Sequence, residues 1–218
     1  MSYSIAIDGP AGAGKSTIAK MIAKKKNYIY VDTGAMYRAM ALYLLRNHVD
    51  PKDTEMIKNA CVQADISIAY QDGEQVVLLN GENVNQYLRT EEVGNMASCS
   101  SPVPAVREEL VELQQKLAAK ADVVMDGRDI GTVVLPNADV KIYLTASSHT
   151  RAQRRYLELL EKGEDADMKK IEQDIIERDD RDMHREHSPL RQAEDAVLVD
   201  SSDMTVNEVA ERILSLCR

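Results

Sequence analysis

Residues 9–17 read GPAGAGKST, and they carry the densest chemistry in the chain. The pattern Gly-x-x-x-x-Gly-Lys-Ser follows a run that reads as a strand and opens a run that reads as a helix, the setting a phosphate-binding loop needs. Its glycines let backbone N–H groups turn inward around a β-phosphate, so Gly9, Pro10, Ala11, Gly12, Ala13, Gly14, Lys15, Ser16 and Thr17 are expected to wrap a nucleoside triphosphate. Lys15 would reach the β- and γ-phosphates, and the Ser16 hydroxyl is placed for Mg²⁺. The rival dinucleotide fingerprint fails, because Gly12-x-Gly14 is followed by Thr17 where a third Gly or Ala is expected.

Three further clusters bear on where such a phosphate would go. DTGAMYR (32–38) closes the second strand-like run, and Arg38 sits one helical turn beyond it, within reach of a second phosphate. DGRDIGT (126–132) puts two carboxylates, a guanidinium and two glycines at a strand end. There Arg128 can grip a phosphate with its fork of donors. Asp126 would help position Mg²⁺ or lock an arginine, and Asp129 could accept a hydrogen bond from an exocyclic base amine. Late in the chain Arg178, Arg181, Asp182 and Arg185 recur at helical spacing on one expected face, with Arg151, Arg154 and Arg155 upstream. ERDDRD suits a solvated salt-bridge ladder equally well. Its neighbours favour a role around a transferring phosphoryl group, which needs several cations.

The elements that would position these residues follow an alternating rhythm. Apolar, β-branched runs at 4–9, 29–34, 123–128, 140–146 and 196–202 lack strict alternation, as strands buried on both faces of a parallel sheet do. Helical patterns separate them. Residues 15–26 end in Lys24, Lys25 and Lys26, the charge a helix C-terminus prefers. Residues 104–120 place Val106, Leu110, Leu113 and Leu117 on one face. A last helix opens with Thr205-x-x-Glu208, a capping box, and should bury Val206, Val209 and Ile213. The methionine-rich AMYRAMALYLL is read as core packing. This is an α/β protein with an open parallel sheet. Residues 65–88 break the rhythm with two hairpin signals, Asp72-Gly73 and Asn80-Gly81, and are expected to form a small antiparallel meander. EKGEDAD (161–167) reads as a polar loop.

Composition narrows the class. With 218 residues and a net charge of −9, and a pI near 5.0, the chain lacks the broad basic surface needed to coat nucleic acid or an anionic membrane. Cys61, Cys99 and Cys217 are widely spaced, offering neither a disulfide framework nor a zinc site, and the four histidines show no metal-ligand spacing. Apolar runs are interrupted at Arg38 and Arg46, too short to span a bilayer. The first strand begins by residue 4, leaving no room for a signal segment. A cytoplasmic, soluble protein is expected.

A phosphate-binding loop alone could serve a switch, a motor or a kinase. Arginines at two strand ends and on a late helix imply a second anionic substrate facing the first, which favours transfer between phosphates. A kinase acting on a hydroxyl would want a carboxylate base, and Asp126 or Asp32 could serve as one.

IAIDGPAGAGKST, VDTGAMYR, VMDGRDIGTVV and ERDDRD with a following Arg and Pro-Leu occur in order across nearly the full chain. Together they resemble the bacterial cytidylate kinases, and DGRDIGTVVLP with DTGAMYR carries most of that specificity. The resemblance implies the P-loop nucleoside monophosphate kinase fold: a five-stranded parallel sheet of order 2-3-1-4-5 flanked by helices, a small antiparallel β insert and a short lid. It divides the single unit into a core (1–34, 104–150, 187–218), a monophosphate-binding part (about 35–103, with the insert at 65–88) and a lid region (about 151–186). The implied reaction is ATP-dependent phosphorylation of CMP and dCMP with Mg²⁺, by a monomer. Arg38, Arg128 and Arg185 would hold the CMP phosphate. Ser98, Arg107 and Asp129 would read cytosine, and Arg178 with Asp182 the ribose. Thr33 keeps a hydroxyl where some relatives have serine. Lys15, Arg128, Arg181 and Arg185 would serve the transfer itself.

Overall fold

The computed structural model describes residues 2–71 and 74–217. Its five-stranded parallel sheet has the order β2-β6-β1-β7-β8, with β1 at Ser4–Asp8, β2 at Ile29–Asp32, β6 at Val123–Gly127, β7 at Val140–Thr145 and β8 at Val197–Asp200. Numbered among themselves these strands run 2-3-1-4-5, the expected order. The chain separates into two compact units, residues 1–2 with 30–122 and residues 3–29 with 123–218.

In the second unit β1 lies between β6 and β7, pairing Ile5 with Val124 and Val140 and Ile7 with Asp126 and Ile142. Ile5, Ala6 and Ile7 are completely buried, which is why this strand shows no polar alternation. β8 departs from that pattern. It pairs only with β7 among the described residues and leaves Leu198 55% exposed while burying Val199 on the opposite face.

Helix α1 (Lys15–Lys26) buries Ile18 and Ile22 and ends at Asn27, whose left-handed conformation (φ 58°) closes the last turn. It packs on β6 and on α8 (Val206–Leu214). The capping box of α8 forms as expected, with Thr205 Oγ1 accepting from Glu208 N and Glu208 Oε2 accepting from Thr205 N. Its buried stripe is Val209, Ala210 and Ile213, whereas Val206 stays 46% exposed. The first-turn position points that side chain off the core face. α6 (Ser148–Glu161) and α7 (Met168–His184) pack together as a helical hairpin around the 161–167 loop.

In the first unit α2 (Thr33–Arg46) starts directly at the end of β2. Thr33 and Gly34 are therefore helical rather than the tail of the strand, with Asp32 as N-cap. Met36 and Met40 are buried, as core packing requires. α3 (Thr54–Cys61), α4 (Glu91–Ser100) and α5 (Pro104–Ala118) follow; α4 packs on α2, and α3 on α5. Val106 and Leu110 of α5 are buried, but Arg107 and Gln114 share that face, while Leu113 and Leu117 are half-buried at its margin. Apolarity alone misjudges this helix because its buried face contains two polar side chains. The meander is β3 (Ile66–Gln71), β4 (Glu74–Leu79) and β5 (Glu82–Asn83), all antiparallel. Asn80 and Gly81 both adopt positive φ (49° and 81°), the turn that matches strand twist. The Asp72-Gly73 turn signal lies outside the described residues. A short 3₁₀ turn, Asn85–Tyr87, leads on to α4.

Candidate functional site

The glycine-rich loop joins β1 to α1. At Gly9 φ is 150°, and a Cβ there would collide with the Leu144 carbonyl oxygen of β7, so the loop leaves the sheet along a path closed to other residues. Gly14 caps α1 in the left-handed conformation, with no side chain capping the first turn. That geometry aims the N-terminal amides and the positive end of the helix at the loop, as anion binding requires.

Lys15 is buried, and its Nζ donates to the Pro10 carbonyl at 2.7 Å, arching over the loop. Burial lowers its pKa to about 7, with Arg128 and Arg178 adding to the fall while Asp126 and Asp8 oppose it. A polyanion in the loop would restore the full ammonium charge. Beside it the Ser16 hydroxyl donates to Asp126 Oδ2 at 3.0 Å. Two hard oxygen ligands side by side at the mouth of the loop suit Mg²⁺, which takes one or two protein oxygens plus phosphate and water.

Arg151 of α6 is the support that sequence reading undervalued. It is 5% exposed, and its guanidinium donates from Nε to the Ala146 carbonyl and from Nη1 to the Ala11 carbonyl, each at 2.9 Å. Nη2 meets Asp179 of α7 at 2.6 Å. A Cβ on Gly12 would press on its stem at 3.3 Å. The glycine-rich loop, the β7–α6 junction and the α6–α7 hairpin are thus tied through one guanidinium. Only the position of Arg151 on the first turn after a strand hinted at this.

The loop after β6 is the second centre. Arg128 Nε donates to Asp182 of α7 at 2.8 Å, and Arg185 Nη2 lies 3.8 Å from Asp129 Oδ1. Burial pushes the Asp182 carboxyl up, but Arg128, Arg178 and Arg185 together outweigh it and hold the group below its usual range. The late-helix pattern needs one correction. α7 stops at His184, and Arg185 is its C-cap with extended backbone, braced by Nε donating to the Ser188 carbonyl at 2.7 Å. Asp179 turns inward with Arg178 and Asp182, whereas Arg181 is exposed.

Past Asp129 the chain forms a π-helical turn, Ile130–Val134. Its first two amides donate to Asp8, Ile130 N to Oδ1 and Gly131 N to Oδ2, both at 2.7 Å. Asp8 was not singled out by sequence reading, since as the last residue of a strand it carries no motif of its own. Burial raises its pKa to about 6 against the pull of those two amides.

The first unit holds the remaining candidates. Asp32 Oδ1 accepts from Ala35 N at 2.8 Å as the N-cap of α2, and Oδ2 meets Arg38 Nη2 at 3.3 Å. Gln75 of β4 locks the Asp32 backbone from both sides, accepting from its N and donating to its O. Thr33 is buried at the first turn of α2. Arg107 is buried on α5, its guanidinium 5.7 Å from the centre of the Tyr37 ring, next in sequence to Arg38. Ser98 is half-buried on α4, which packs on α2. Tyr37, within DTGAMYR, lies under the Arg107 guanidinium, a role its sequence position does not show. His48, His149, His184 and His187 are all exposed.

A parallel sheet that delivers a glycine loop, a buried lysine and a helix N-terminus to one point defines a P-loop nucleotide-binding α/β protein. Solved structures agree at the level of fold. An uncharacterized protein from Eubacterium ventriosum covers 99% of this chain and 97% of its own at TM-score 0.52 and 16% identity. A gluconokinase from Sinorhizobium meliloti covers 98% and 90% at TM-score 0.50 and 13% identity. At family level the likeness is far closer. The family model described as cytidylate kinase matches residues 5–218, and the chain belongs to that family. A cytidylate kinase of Caldicellulosiruptor bescii is 51% identical over 98% of this chain and 94% of its own length. That of Bacillus subtilis is 50% identical over 97% and 94%.

Proposed function

We propose that the protein transfers the γ-phosphoryl group of ATP to CMP and dCMP. The observation that carries this reading is electrostatic. Arg128 and Arg178 lie close enough to Lys15 to help lower its pKa, and the same two arginines with Arg185 surround Asp182. So many cations near a triphosphate loop are costly unless a second polyanion is drawn to them. Family membership supplies the identity of that polyanion.

In this reading residues 9–17 hold ATP, with Lys15 on the β- and γ-phosphates. Ser16 and Asp126 would hold Mg²⁺, which would supply charge neutralisation to the phosphates. Arg38, Arg128 and Arg185 hold the acceptor phosphate, and the Thr33 hydroxyl serves the substrate as a serine does in some relatives. Ser98, Arg107 and Asp129 read the cytosine edge, Asp129 accepting from its amine. Arg178 and Asp182 take the ribose, and Arg181 reaches the transferring group from the lid region, 151–186. A nucleoside monophosphate is largely dianionic at pH 7, because its second pKa is about 6. The attacking oxygen is therefore already deprotonated, and no general base is needed. Alignment and charge neutralisation do the rest. The protein works as a cytoplasmic monomer on small nucleotides; among the described residues no helix is long and apolar enough to cross a membrane.

An acceptor panel tests this directly. With ATP fixed, CMP and dCMP should be turned over at least tenfold more efficiently than UMP, AMP or shikimate, with CDP or dCDP as product. Faster turnover of another acceptor refutes the reading, as does ATP hydrolysis that ignores every acceptor.

A further inference from the structure

Asp8 occupies an odd place for an acid. It closes the central strand of the sheet and is itself 4% exposed. Its carboxylate makes two short bonds, each to a backbone amide of the turn after Asp129. The charges that bear on it are Asp129, which opposes its ionisation, and Lys15, which favours it more weakly than those amides do. Tyr143, its register partner on the neighbouring strand β7, is in turn influenced by Asp8. Burying a carboxylate without a strong counter-ion is costly, and an apolar residue would end the strand more stably. What the carboxylate achieves here is geometric.

The first amides of any helical turn lack partners within it, and a π turn is an uncommon conformation that outside contacts must sustain. Asp8 takes the first two amides of this one, an oxygen to each. Gly131 allows the approach, since a Cβ there would lie 3.3 Å from Asp8 Oδ2 and 3.2 Å from the Lys141 side chain. Lys141 pins the far end of the segment, donating to the Pro136 carbonyl and to both oxygens of Asp195. With Ile130 and Gly131 anchored, the backbone of Asp129 is set at φ −147°, ψ 27°. That directs the Arg128 side chain to Asp182 and the Asp129 carboxylate to Arg185.

We propose that Asp8 is a positioning residue for the acceptor. By holding the amides of Ile130 and Gly131 it sets the directions in which Arg128 and Asp129 meet the monophosphate. The inference rests on the acceptor role given above to those two residues. Both carboxylate oxygens are required. In Asp8→Asn one of them becomes an NH₂ donor facing a backbone donor, at nearly unchanged volume.

Three measurements on the full-length protein test it. Asp8→Asn should raise the KM for CMP about tenfold and lower kcat, while the Kd for a non-hydrolysable ATP analogue stays within about twofold, since small misplacements of reacting groups cost rate steeply. Gly131→Ala, which crowds the same contact from the opposite side, should give the same split. Amide hydrogen exchange should accelerate at Ile130 and Gly131 in Asp8→Asn and remain unchanged in residues 9–17. An unchanged KM for CMP, or ATP and CMP affinities that fall in step, overturns the proposal. If Asp8→Asn does not fold, Gly131→Ala decides by the same criteria. If the wild type fails to use CMP, the acceptor reading has failed, and the exchange data still report whether Asp8 holds the turn.

Discussion

Lys15 and Asp8 show how burial reworks ordinary side chains. The same desolvation pulls the lysine down towards 7 and pushes the aspartate up to about 6. For Asp8 the consequence for stability can be signed. Its folded pKa lies above the ordinary 3.8, so the folded state holds the proton more tightly than the unfolded state does. The corresponding stability is complete below about pH 4 and is lost as pH rises through 6, a change of roughly 3 kcal/mol. Urea unfolding of the wild type and Asp8→Asn at pH 4 and pH 7 checks this. The wild type should lose stability relative to the variant over that interval, by up to the same amount. Comparison with the variant removes the opposite contributions of carboxylates such as Asp182 and Glu158, whose pKa values are lowered. A constant difference between the two proteins would show that Asp8 titrates normally.

Among the elements, α7 does more than its sequence suggests. ERDDRD reads as a ladder of exposed charges, yet Asp179 and Asp182 face inward to Arg151 and Arg128. The first pair ties the helix to the phosphate-binding loop, the second to the end of β6. Arg128 and Asp182 are only 21% and 14% exposed in their side chains, so water screens them little. A double-mutant cycle of Arg128→Ala and Asp182→Ala, read by thermal or urea unfolding, should return a coupling of about 1 to 3 kcal/mol. A coupling near zero would return the pair to the solvated ladder. The helical period placed α7 correctly but could not say which of its charges turn inward, because ion pairs on one face and solvated charges on the other have the same spacing. α5 makes the converse point: its apolar period marks the buried face but does not show that Arg107 and Gln114 share it.

On the scale of the whole molecule, a chain of net charge −9 is proposed to bind two polyanions, and it can do so only by concentrating cations locally. Arg185 tests that arrangement. It sits where α7 has already ended, its buried side chain facing Asp129. Arg185→Ala should lower kcat by at least roughly a hundredfold, as loss of a transition-state cation does, and should also cost some stability, because it leaves the buried Asp129 carboxylate without that cation. A wild-type rate would remove Arg185 from the transfer. Much of this was legible beforehand. The glycine loop, the strand runs, the meander's Asn80-Gly81 turn and the capping box each depend on contacts between residues close in sequence, so their patterns survive in a linear reading. DGRDIGT was legible as a cluster for the same reason. What only the tertiary structure decided lies at long separations: Asp8 holding the turn at 130–131, Arg151 bracing Ala11 against Asp179, and Lys141 locking Asp195. Strand order and helix packing bring those partners together from far apart in the sequence, and no local spacing records such a meeting.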